Sequence, residues 1–298
     1  MTELNETAPP PSGFGVRPGR ARFETGLLRS PPPLVIRGTT FSHLSRTVEA
    51  EIIPRLVLAH GHGQPVEPSN VATDRTYVTD FAELMLGTES SRAAEHIQAC
   101  RERGVPLETV YLDLLVPAAR HLRHLWMNDE WDFADVTLAL WRMQQLLRDF
   151  SPAFCGDTGI KSAGLRALLT PGPGEKHDIG HMMFGLVLAG EFFRREGWDT
   201  WIEPDSTDAT FIATIRTQWF DVVEFFANSD KKLDDLAANI RQVRRESSNR
   251  DIGVMVCGPV FNERPELVLL VGGDAVVSDF SQEALQARNV VNLLTDRR

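Results

Sequence analysis

The sequence predicts a helical bundle followed by a doubly wound α/β domain. Three observations carry that prediction. Between about Asn70 and Phe150 apolar residues recur at helical spacing, and no segment alternates like a strand. After Phe150, short apolar runs alternate with helical stretches, the pattern of an open parallel sheet with helices on both faces. The chain has 298 residues and is 42% hydrophobic, long enough for about two domains and apolar enough to give each a core.

Residues 1–38 contain two triple-proline runs and several arginines and read as a flexible arm. Residues 39–69 hold a helix over Thr40–His60 and a linker over Gly61–Ser69. Ser42 caps that helix, Leu44, Val48, Ile52 and Leu56 stripe it, and Pro54 kinks it. Residues 70–152 read as a four-helix bundle: Val71–Leu86, Ser90–Arg103, Pro106–Met127 and Phe133–Phe150. Short Gly or polar connections set neighbouring helices antiparallel. Residues 153–298 read as five strands, Leu165–Leu169, Thr200–Glu203, Asp221–Ala227, Ile252–Cys257 and Ala275–Ser278. The helices between them run to about Gly197 and over Asp208–Thr217, Lys231–Glu246, Pro265–Val271 and Gln282–Leu294. The whole is a helical cap in front of a flavodoxin-like, five-stranded parallel sheet.

Composition excludes several function classes. The formal net charge is −10, which argues against a surface built to neutralise DNA phosphates. No apolar run approaches the ~20 residues of a membrane span, and Met1–Pro11 lacks a signal-peptide core. The three cysteines, Cys100, Cys155 and Cys257, form no CxxC, which fits a reducing cytoplasm. No nucleophile–base–orienter set is visible, so no enzyme activity is expected.

In such sheets ligands bind at the carboxyl ends of the strands, so the loop after the first strand is the place for chemistry. It reads Thr170–His181, TPGPGEKHDIGH. Gly172 and Gly174 lack the third glycine of a dinucleotide loop. His177 and His181 have the spacing of a zinc helix, but Asp178 replaces its glutamate and no third ligand is evident. A phospho-receiver wants an aspartate at the end of the third strand, where Ala227 and Asn228 stand. Two polar histidines beside a helix N-terminus remain the plainest reading of the residues alone.

Glu175-x-His177-x-x-Gly180 resembles the Asp-x-His-x-x-Gly motif of cobalamin-binding domains. Ile252–Phe261 resembles their fourth strand and its Gly-Gly turn, and Gly273-Asp274-Ala275 the segment after it. Phe226-Ala227-Asn228 falls where that family has Ser-x-Leu. The resemblance implies cobalamin as cofactor, with His177 as the lower cobalt ligand. Neutral imidazole suits cobalt, and a carboxylate at Glu175 would hold the ring's other N–H. Gly180 would let the backbone lie close to a large ring. Phe226, Asn228, Cys257, Gly258 and Gly273 are the implied remaining contacts. Glu175, Phe226, Asn228 and Cys257 all depart from the family's usual residues.

The cap implied above the corrin contains Trp126. Cobalamin-dependent photoreceptors follow such a tryptophan with Glu-His, and here Val136 and Thr137 occupy those positions. His121 and His124, on the same helix as Trp126, are the alternative upper ligands. A cap with tryptophan, no Glu-His, the helix Thr47–Leu56 and no DNA-binding domain is similar to the AerR/PpaA group. Those are cobalamin-binding antirepressors of photosynthesis genes. That resemblance implies a light-responsive regulator and a repressor partner of the CrtJ/PpsR type. A corrinoid carrier in methyl transfer and a cofactor-free interaction module are the alternatives.

Overall fold

The computed structural model describes residues 75–87, 90–156, 164–175, 179–207 and 209–296. The expected arm, the Thr40–His60 helix and His177 lie outside the described residues. All described residues belong to one compact unit, Glu67–Arg298.

The cap begins with α1 (Arg75–Leu86) and α2 (Ser90–Glu102). Then α3 (Leu107–Thr109) runs without a break through π-helical turns, Val110–Leu115, into α4 (Val116–Met127). Pro117 sits in the first turn of α4 and has no N–H to close the usual bond to Asp113, and the helix widens just ahead of it. The last cap helix, α5 (Phe133–Gly156), passes the expected stop at Phe150 and takes Pro152 into its interior. The carbonyl that loses its partner belongs to Arg148, which is exposed, so water can serve it. Arg142 of α5 donates to the open carbonyls at the end of α1, 2.7 Å to Met85 and 2.5 Å to Gly87.

The α/β domain runs β1 (Arg166–Pro171), α6 (Ile179–Arg195), β2 (Asp199–Ile202), α7 (Ala209–Thr217), β3 (Val222–Phe226), α8 (Leu233–Glu246), β4 (Gly253–Cys257), α9 (Pro259–Glu263), α10 (Leu267–Val271), β5 (Ala275–Val277) and α11 (Phe280–Thr295). The sheet order is β2-β1-β3-β4-β5 and every pairing is parallel. This is the flavodoxin-like order expected from the alternating pattern. The short helix α9 was not legible, because Pro259–Glu263 is too brief to show a period.

Strand alternation assigns the two faces of the sheet. Leu168, Val223, Phe225, Val254 and Val256 pack against α7 and α8. Ala167, Leu169, Val222 and Met255 face α6 and α11. Glu224 shares parity with Val222 and so stands on the α6/α11 side. Helix α6 is apolar nearly all round because it serves two cores. Its Met182, Leu186, Ala189 and Phe193 meet the sheet. Its Phe184, Val187, Leu188 and Phe192 belong to the cap core. Each such buried side chain contributes about 2 kcal/mol. Arg195 of α6 pairs with Glu108 of α3 at 2.6 Å, adding a polar tie between cap and sheet domain. Among the described residues no helix is long and apolar enough to cross a membrane.

Candidate functional site

The site is built where the loop after β1 meets the end of β3. Gly172 donates its N–H to the Phe226 carbonyl at 2.7 Å. A Cβ on Gly172 would lie 3.1 Å from that same oxygen, so the close approach needs glycine. Oε1 of Glu175 accepts the Asn228 N–H at 2.9 Å. Glu175, expected to orient His177, thus has one oxygen committed to fixing the loop on β3. The end of β4 is joined to the same point, because the Ala227 N–H donates to the Cys257 carbonyl at 3.0 Å. Gly258 then turns the chain at φ 108° and ψ 173°, a region essentially reserved for glycine.

A cavity of about 350 Å³ opens beside this junction. Its roof is the α4 face carrying Val116, Ala119, Arg120 and Arg123. One wall is α6, with His181, Phe184 and Gly185. The floor is the strand ends and the start of α11. Phe226, Asn228, Cys257 and Gly258 all line it, so four of the expected contacts converge.

Glu175, Trp126, Gly180 and Gly273, four other expected contacts, do not line it. Trp126 lies one turn beyond Arg123 and packs on Phe133, with ring centroids 5.5 Å apart, as part of the cap core. Gly180 is buried against α5: a Cβ there would sit 3.1 Å from Leu140 Cδ1 and 3.7 Å from Thr137. Its missing side chain lets the cap close on α6; no open space for a ring adjoins it. Gly273 makes room for α10, since a Cβ would come within 2.9 Å of Val268. The alternative upper ligands are also elsewhere. His124 is exposed and bonded to Asn128 at 3.0 Å, and His121 is not part of the lining. The described histidine that does line the cavity is His181, whose Nε2 lies 2.7 Å from the Ala119 carbonyl.

Sequence reasoning missed the most unusual feature of the floor. Glu224 and Glu283 are 0% and 1% exposed, and both line the cavity. Both oxygens of Glu224 and Oε2 of Glu283 lack a hydrogen-bond partner beyond the two carboxyls themselves and the Cys257 thiol. Burial pushes the Glu224 carboxyl up. Burial, and then the neighbouring Glu224 carboxyl, push Glu283 well above the ordinary carboxylate range. The Cys257 thiol beside them is raised well above its ordinary value by burial and by the Glu224 and Glu283 charges, so it is no reactive thiolate. The signal available in the sequence was a glutamate inside the apolar run Asp221–Ala227. No group of three or more metal-binding side chains occurs among the described residues.

Comparison with known proteins follows the same geometry. Residues 77–148, nearly the whole cap, match the family model of the B12 binding domain. The chain is 28% identical over 184 residues to an uncharacterized 20.5 kDa protein in the bchF-crtJ intergenic region of Rhodobacter capsulatus. That alignment covers 61% of this chain and 91% of the relative. In fold it is similar to the Methanosarcina barkeri monomethylamine corrinoid protein, with a TM-score of 0.56 at 13% identity, over 73% of this chain and 100% of that one. The helical cap thus matches the model of a B12 binding domain, and the fold of the chain is similar to that of a corrinoid protein.

Proposed function

We propose that this chain is a cobalamin-binding regulator that acts as an antirepressor through a repressor of the CrtJ/PpsR type. The observation that carries the reading is the cavity between a B12-binding cap and the strand ends. In this sheet topology that is the position where ligands bind. Its residues fit a large, amide-bearing macrocycle: the walls are mainly apolar, and the orphaned carboxyl oxygens on the floor lack the polar partners such a ligand brings. The regulatory half draws on the relative from the bchF-crtJ region, whose description names crtJ, the repressor type implied by the sequence resemblance.

An alkylcobalamin, when bound, supplies a cobalt–carbon bond that light breaks. His177 would hold the cobalt through a neutral imidazole nitrogen. Glu175 and Asn228 anchor the loop that carries His177 to the end of β3. The α4 face presents Val116, Ala119, Arg120 and Arg123 to the cavity, so a change in the ligand's bulk is felt by the cap. A ligand shifts a protein only by differing in affinity for its two states, and the cap surface is the element it would bias. No bond-making step falls to the protein's own side chains. A cytoplasmic location belongs to the same proposal.

The test is the absorption spectrum of protein mixed in the dark with adenosyl- or hydroxocobalamin, desalted and then illuminated, with His177→Ala alongside. Retained colour, a light-induced change and a loss or altered spectrum in the variant are expected, followed by capture of the repressor. Colourless protein under every condition would leave a cofactor-free interaction module. Retained cobalamin with no light response and with turnover of a methyl donor would make the chain a corrinoid carrier.

A further inference from the structure

Two glutamates at the floor of a mainly apolar cavity call for an explanation that packing does not supply. Glu224 interrupts a central strand whose neighbours Val223 and Phe225 are fully buried, and Glu283 opens the helix that covers that strand. An isolated buried carboxylate is costly, and two carboxyls within interaction range cannot both ionise without a cation. Neither forms an ion pair among the described residues, and three of their four oxygens have no hydrogen-bond partner beyond the pair itself and the adjoining Cys257 thiol. A protonated carboxyl offers one O–H donor together with acceptor oxygens. That pattern complements a carboxamide, which presents a carbonyl acceptor and N–H donors on one edge.

We propose that Glu224 and Glu283 form an uncharged hydrogen-bonding clamp for a carboxamide of the ligand in this cavity. The inference rests on the corrinoid reading above, since that macrocycle carries several carboxamide side chains. It adds two things to that reading. It assigns a recognition role to residues outside the motif, and it makes ligand retention sensitive to alkaline pH. Burial raises both carboxyl pKa values; the Glu224 carboxyl pushes that of Glu283 up further, while hydrogen bonds with Glu283 and Cys257 act the other way on Glu224. Cys257 on β4 and Asp279 at the start of α11 act on the pair directly, and Arg120 and Arg123 on α4 and His181 on α6 line the same cavity.

The sign of the pH dependence decides between chemistries. An uncharged clamp weakens as pH rises and the acids ionise. A carboxylate pair that waits for a cationic ligand strengthens as pH rises.

The experiment measures equilibrium binding of cyanocobalamin from pH 6 to pH 10 for the full chain, Glu224→Gln, Glu283→Gln and the double variant. Thermal unfolding of each variant checks that it is folded. A glutamine can donate and accept at any pH. The expected result is a loss of roughly tenfold in wild-type affinity across the alkaline limb, the value of one or two good hydrogen bonds. The double variant is expected to bind with a flat alkaline limb, and each single variant, which keeps one acid, with a limb shallower than wild type. Infrared absorption of the ligand-free protein at neutral pH is expected to show a protonated carboxyl band that weakens in each variant. A flat or rising wild-type limb overturns the clamp while leaving cobalamin binding intact. Folded glutamine variants that lose binding at every pH overturn it too, because the ionised form would then be required. Absence of the infrared band has the same consequence. Failure of wild type to bind at any pH removes the corrinoid reading itself, and the clamp with it.

Discussion

Replacing Gly258 with alanine tests whether the junction of β3 and β4 builds the site. A Cβ at that position would lie 2.3 Å from the Ala227 carbonyl oxygen and 3.0 Å from its carbon. Both are backbone atoms, so no side chain can swing away. The conformation at φ 108° costs a non-glycine residue about 1–3 kcal/mol. Relieving the overlap pulls Ala227 from Cys257 and loses their 3.0 Å hydrogen bond, about 1 kcal/mol more. The expected destabilisation is about 3 kcal/mol in a urea titration, and roughly 5–10 °C in Tm for a unit of this size. Gly104→Ala is the control. It also has a positive φ, 84°, but an added Cβ there meets nothing within 4 Å, so about 1–2 kcal/mol is expected. Gly258 lines the cavity, so the variant is also expected to take up less cobalamin at temperatures where it stays folded. If the two variants cost the same within about 0.5 kcal/mol, the steric argument for the junction fails.

Other expectations follow from single groups. Arg194→Met removes the guanidinium 2.6 Å from Glu191, a carboxylate that is 1% exposed, and is expected to cost about 3 kcal/mol by urea titration. Adding Glu191→Gln to that variant should recover part of the loss. His96, against Tyr77 at 4.7 Å, has its pKa lowered by burial and then by Arg103. The unfolded chain therefore takes up the proton first. Cap stability is full above the unfolded value of about 6.5 and falls as pH drops through it towards the folded value. Tm between pH 8 and pH 5 should decline more steeply in wild type than in His96→Leu, and equal slopes would contradict the assignment. His177→Ala is expected to lose or alter cobalamin retention, read from the absorption of the desalted protein.

Local chemistry made much of the architecture readable in advance. The alternating four- and three-residue spacing of Val136, Leu140, Met143 and Leu147 needed only helix geometry to mark α5. The doubly buried strands β1, β3 and β4 read as apolar runs because parallel sheets are covered on both faces. Helix ends were less legible. The stop expected at Phe150 failed because an exposed carbonyl at Arg148 lets Pro152 stay within the helix, and exposure is not a local property. Phe226, Asn228, Cys257 and Gly258 were expected from the resemblance to cobalamin-binding domains, and all four line the cavity because β3 and β4 pair in parallel register and end side by side.

Elsewhere the sequence and the fold part company. Trp126, Gly180 and Gly273 match the expected motifs, yet their places are set by neighbours distant in the chain: Phe133 for the tryptophan, Leu140 and Thr137 for the first glycine, Val268 and Val256 for the second. The Glu224–Glu283 pair is the converse case, since nothing in either segment announces the other. The sequence by itself determined the order of most elements and the flavodoxin-like parallel sheet, because those depend on periodicity and backbone preference. The tertiary structure alone decided which side chains face the cavity and which carboxyls share it, because burial and charge proximity arise only when α11 closes over β3 and α4 over both.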